Sequence, residues 1–94
     1  MHEDAEIRLQ AEGAIEKLQS LLDADAQDTD EQELIGLAAL AAGAVADAER
    51  RHMLTEDLIG ALTALHFGPV FDGEQRQSRN QAAAILDELA ATVS

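Results

Sequence analysis

Glu49 and His52 form a Glu-x-x-His pair, a spacing that sets two metal-ligating side chains about one turn apart on one helix face. Di-iron carboxylate bundles use two such pairs and two further glutamates. This chain has one pair, so a dimer would supply two, with Glu12 or Glu16 completing the set. Against that reading, Arg50 and Arg51 lie inside the motif and repel a cation. The pair is also expected at a helix end, where water competes for the ligands. A surface or helix-capping His52 is the simpler account, and no cofactor is expected.

The acid-rich stretch from Asp23 to Glu33, DADAQDTDEQE, holds six carboxylates and no base. A calcium loop of the EF-hand type needs glycine at its sixth position and a bidentate glutamate at its twelfth. Starting at Asp23 puts Asp28 and Leu34 there, and starting at Asp28 puts Glu33 and Ala39 there. Neither frame works, so the stretch reads as a solvated acidic loop. Catalytic signatures are equally thin. There is no cysteine, no phosphate-cradling glycine loop and no nucleophile elbow. Ser20, Ser78 and Ser94 lack histidine and acid neighbours in sequence. The expectation is a protein that is not an enzyme. His66 reads as a C-terminal helix residue and His2 as part of a frayed terminus. Arg76 and Arg79, cations in the first turns of a helix, oppose its dipole, which an acidic neighbour or a partner contact would offset.

The elements that carry these residues all read as helices. In the first, Ile7, Ala11, Ala14, Leu18 and Leu21 recur at alternating spacings of four and three, with Ile15 and Leu22 widening the stripe, which predicts an amphipathic helix over about 3–22. Thr29 and Gln32 stand in a capping-box relation, and Asp30 and Glu31 suit a helix N-terminus, so a second helix is predicted over about 30–52. Arg50 and Arg51 would close it, where cations are favoured. Within it the thirteen residues from Leu34 to Val45 and Ala46 carry no charge. A helix apolar on most of its circumference is expected to be buried on most sides, and the run is too short to cross a membrane. It reads as the central core helix of the molecule. Thr55, Glu56 and Asp57 predict the start of a third helix, with Leu54, Leu58, Ala61, Leu62 and Leu65 on its stripe and Gly68-Pro69 ending it. Phe67, Val70 and Phe71 would plug one end of the bundle. A fourth helix starts at Asp72 and buries Ala82, Ile85, Leu86, Leu89, Ala90 and Val93. No strand pattern occurs. The expected fold is a single all-α domain over 1–94, a four-helix bundle or orthogonal array around the Ala/Leu-rich helix at about 30–52.

Of 44 hydrophobic residues, 19 are alanine, so the core is expected to be thin. A second copy or another protein would help cover it, and Ala39 with Gly43 offers a close-approach surface for a homodimer. The net charge of −13 speaks against direct nucleic-acid binding, which needs lysine and arginine at phosphates, and against an anionic membrane. An acidic N-terminus unlike a signal peptide points to the cytoplasm. Eleven of the 19 acids fall between Glu3 and Glu33, against Arg8 and Lys17, which gives that third of the chain a charge of −9. An acidic helix plus an acidic loop can imitate a phosphate backbone. The expected function is therefore a small acidic protein-binding module, a stoichiometric inhibitor or decoy of a basic protein, as phage anti-defence, immunity and antitoxin proteins are. Glu12, Glu16, Asp23, Asp25, Asp28, Asp30, Glu31 and Glu33 are the expected partner-binding residues. A self-associating structural module and a metal-binding dimer using Glu49 and His52 are the alternatives.

Overall fold

The computed structural model describes residues 2–23, 30–67 and 72–93. They form four helices, α1 (His2–Asp23), α2 (Glu31–Ala41), α3 (Ala48–Phe67) and α4 (Asp72–Val93). Each helix packs on its neighbours in sequence, and α4 returns to α1, so the four close into a ring around one core. Lys17 lies beside Glu33, and Ile7 beside Gly43, which fixes α1 and α2 as antiparallel. Arg50 at the start of α3 meets Glu88 near the end of α4, so that pair is antiparallel too. Among the described residues the expected all-α bundle is what forms.

Most of the stripes of α1 and α4 sit where the spacing places them. Ile7, expected on the α1 stripe, is exposed because it lies at the open edge beside Gly43, and Leu21 and Ala90 are only half-buried. Ala11, Ala14, Ile15, Leu18 and Leu22 are buried on α1, and Ala82, Ile85, Leu86, Leu89 and Val93 on α4. From α3 come Leu58, Ala61 and Leu62, with Leu54 and Leu65 half-buried. Among the described residues, seven of the eighteen that are buried are alanine, and every one of the eighteen is apolar. The six largest fully enclosed side chains are all leucine, namely Leu18, Leu34, Leu58, Leu62, Leu86 and Leu89. The core is thus narrow, and its stability rests on few large side chains.

The predicted central helix is not a single helix. Backbone pairing passes from helix to turn after Ala41, with Gly43 N–H donating to the Leu40 carbonyl and Val45 N–H to that of Ala42. Gly43 fits because a Cβ there would stand 3.1 Å from the Leu40 carbonyl oxygen and 3.7 Å from Ile7 Cγ2. Asp47 then starts α3. Its side chain accepts from Glu49 N–H at 3.2 Å and its carbonyl from Arg51 N–H at 2.8 Å, the bonds of a helix N-cap. Thr55, the predicted start of the third helix, lies inside α3, where its hydroxyl donates to the Arg51 carbonyl four residues back. Arg50 and Arg51 therefore lie in the first turn of α3, where the dipole opposes them. Arg50 is offset by Glu88, and Arg51 donates to the Val45 carbonyl at 3.0 Å.

Nor is the apolar run buried on most sides. Leu34, Ala38 and Ala41 face the core with 1 % or less of their surface exposed. Ile35 and Leu40 are 40 % and 44 % exposed, and Gly36 and Ala39 are exposed between them. The two neighbouring helices, α1 and α3, cover one face of α2 and leave the other open. Thr29 of the predicted capping box lies outside the described residues, and Asp30 holds the N-cap backbone position without a side-chain bond. Of the predicted plug, Val70, Phe71 and the Phe67 side chain also lie outside them.

Candidate partner-binding surface

The carboxylates are positioned by the same helical phase that fills the core. Once Ala11, Ala14, Ile15 and Leu18 turn inward, Glu12 and Glu16 must project outward, four residues apart on one face. Asp30 and Glu31 stand at the N-terminus of α2, where negative charge complements the dipole. Glu33 accepts from Lys17 Nζ at 3.0 Å, which ties the start of α2 to the second half of α1. Five of the eight expected contact residues, Glu12, Glu16, Asp30, Glu31 and Glu33, thus belong to one end of the α1–α2 pair or its outer ridge. The Asp23 side chain, Asp25 and Asp28 lie outside the described residues. Every carboxylate whose side chain is described is exposed to water.

Charge on this surface is poorly balanced. Lys17 is the base that answers the acids at this end, and its pair with Glu33 is half open to solvent on both sides. Such an exposed pair contributes about 0.2–1 kcal/mol. The remaining acids of α1 and the α2 cap keep their field.

Glu49 and His52 lie in the first turns of α3, both exposed, rather than at the end of a long second helix. His52 Nε2 is 3.7 Å from Glu56 Oε1, a surface pair within the same helix. Among the described residues no three His, Asp or Glu side chains are grouped closely enough to hold a metal ion. His66 is half-buried on α3, and burial first, then the positive charge of Arg79, lowers its pKa below the usual histidine value. Arg79 also borders an open groove of ≈ 510 Å³ between α1 and α4, with Gln19, Leu22, Asn80, Ala83 and Asp87. That lining brings together no nucleophile and base.

A second groove, of ≈ 300 Å³, is lined by Ala39 of α2 and by Ala48, Arg51, His52 and Thr55 of α3. It adjoins the open face of α2, with Ile35 one turn from Ala39. Sequence reasoning missed this surface because it took α2 to be enclosed. Two signals mark it: Gly43, which permits the turn, and Asp47 with Glu49, which is the start of a new helix. In comparison with known proteins, no family model, no curated protein and no solved structure matches this chain.

Proposed function

We propose that this protein acts by binding another protein rather than by catalysis, as a stoichiometric inhibitor or decoy of a partner with a basic surface. The observation that carries the reading is an exposed, largely unanswered row of carboxylates on α1 and at the start of α2, within a third of the chain whose charge is −9. A field of one sign steers an oppositely charged partner and raises its rate of encounter. Spaced carboxylates on a rigid helix can take the place of phosphates in a nucleic-acid-binding groove. The chain itself does not bind nucleic acid in this reading, and it works in the cytoplasm. No helix among the described residues is long and apolar enough to cross a membrane.

The test is affinity capture from cell lysate with the wild-type protein beside a variant carrying Asp23→Asn, Asp25→Asn, Asp28→Asn and Asp30→Asn. A basic protein held by the wild type, released by moderate salt and bound tenfold or more weakly by the variant is the expected result. Four charges at about 0.2–1 kcal/mol each reach that size. Equal capture by both proteins, with the variant's helicity intact, contradicts the reading. A homodimer is the second reading, and the open apolar face of α2 is the observation that favours it.

A further inference from the structure

We infer that the open face of α2 is the seam of a twofold dimer, in which α2 packs antiparallel against α2 of a second copy and Glu31 of each chain meets Arg51 of the other. The inference deepens the homodimer reading and is independent of the basic partner. It starts from an apolar surface with no cover. Ile35 and Leu40 are 40 % and 44 % exposed on the same short helix, and Ile7, 41 % exposed, borders it at Gly43. Ile35 and Leu40, five residues apart, flank the open face from its two sides with Gly36 and Ala39 between them, and apolar exposure on both flanks of one face marks a surface that something packs against.

The charges around the seam select the occupant. Glu31, Ile35 and Ala39 follow one another at intervals of four and form a single row along α2. That row runs into the groove where Arg51 and His52 stand, because Ala39 shares the groove with them. One end of the row is therefore negative and the other positive, while residues 34–46 between them carry no charge. Glu31 has no ion-pair partner among the described residues. Arg51 donates one N–H to the Val45 carbonyl, which anchors the guanidinium at the turn that follows α2, and the side chain, exposed to water, has further donors to offer. A copy laid parallel would set Glu31 on Glu31 and Arg51 on Arg51. Laid antiparallel, it sets Glu31 over Arg51 at both ends, because a twofold interface makes each contact twice. The same arrangement carries Ile35 of one chain over the Ala39 groove of the other. An unrelated basic protein gains nothing from the uncharged middle, whereas a second copy matches both the apolar centre and the two ends.

The size is consistent with a weak dimer. The 11 residues of α2 extend about 16 Å. A specific interface at the small end covers about 600 Å² per partner, close to a tenth of the 6155 Å² surface of one chain. A seam built on one 11-residue helix and its flanks belongs at that small end, so the dimer is expected to dissociate on dilution.

Sedimentation equilibrium on the full chain, with helicity followed by circular dichroism, tests this. The wild type is expected to rise with concentration from 10.0 kDa towards twice that mass. Ile35→Asp, at an exposed site, is expected to weaken association at least tenfold with helicity unchanged. Glu31→Arg alone and Arg51→Glu alone are each expected to weaken it severalfold. Mixing those two variants is expected to restore it, since both pairs in the mixed dimer are again oppositely charged. A wild type that stays at one chain's mass up to millimolar concentration overturns self-association and this seam together. A dimer that ignores Ile35→Asp, or a mixture no tighter than its components, keeps self-association and overturns the antiparallel seam.

Discussion

The outer ridge of α1 and the outer face of α2 are both exposed, yet they make different statements about the molecule. Glu12 and Glu16 on α1 are where an amphipathic helix puts charge, and water satisfies them. Their exposure costs nothing, so it becomes informative only through its one-sided sign. Ile35 and Leu40 on α2 are the reverse case, since leaving large apolar side chains in water forgoes the burial that stabilises the rest of the fold. The lesson is that the acidic ridge is stable in water as it stands, whereas the α2 face would gain from being covered, which is why we assign the first to a basic partner and the second to another copy.

The sharpest way to break that comparison is across α2 itself. Leu34 is 1 % exposed and Ile35, its neighbour, 40 %. Leu34→Ala is expected to destabilise the monomer by about 2–4 kcal/mol, through lost burial and a cavity in a thin core. Ile35→Ala is expected to change monomer stability by about 0.5 kcal/mol or less, as exposed substitutions do. Urea unfolding at a concentration low enough to keep the chain monomeric reads both. Similar losses at the two sites would mean that both faces of α2 are covered within one chain.

A smaller effect separates α2 from α3. If Asp47 is the start of a new helix, Asp47→Ala removes its N-cap and costs about 1 kcal/mol, measurable as a lowered urea midpoint. In one continuous helix over 30–52 the same change would raise helix propensity and stabilise the chain. The sign of the effect decides between the two.

The smallest expected effect is at His66. Burial and Arg79 lower its folded pKa below the ordinary histidine value. The unfolded chain then binds more protons in that window, so this residue's contribution to stability is full above about pH 6.5 and falls as the pH drops through it. Carboxylate protonation at lower pH relieves repulsion and acts in the opposite direction, so the readout is a difference. Between pH 7.5 and 5.5 the melting temperature of the wild type should drop relative to that of His66→Asn. Parallel curves would mean that His66 has the same affinity for a proton folded and unfolded.

How much of this was legible in sequence follows from the same contrast. On α1 and α4, charged residues between the apolar ones set the phase of each helix, and the buried sets sit where the spacing places them. Residues 34–46 have no charge to set a phase, so every rotation of that helix looked buried. The real orientation is chosen by tertiary packing, which turns Leu34, Ala38 and Ala41 inward and leaves Ile35 and Leu40 out. High helix propensity across Ala41–Ala46 also masked the turn at Gly43 and the cap at Asp47. Glu12, Glu16, Asp30, Glu31 and Glu33 were legible as exposed acids because charge almost never goes into an apolar core. That Glu31 and Arg51 end one row of α2 could be seen only after the break between α2 and α3 had brought Arg51 back over Ala39.

Amide NMR on the labelled protein tests the central claim, that two distinct surfaces face two different kinds of contact. Spectra are recorded over a dilution series and again over a titration with a short polylysine peptide. Dilution is expected to shift Ile35, Ala39, Leu40 and Arg51 while Glu12 and Glu16 stay fixed, and the peptide is expected to move Glu12, Glu16 and Asp30 while Ile35 and Leu40 stay fixed. Dilution that leaves residues 35–40 unmoved, or two titrations that move the same residues, would contradict it.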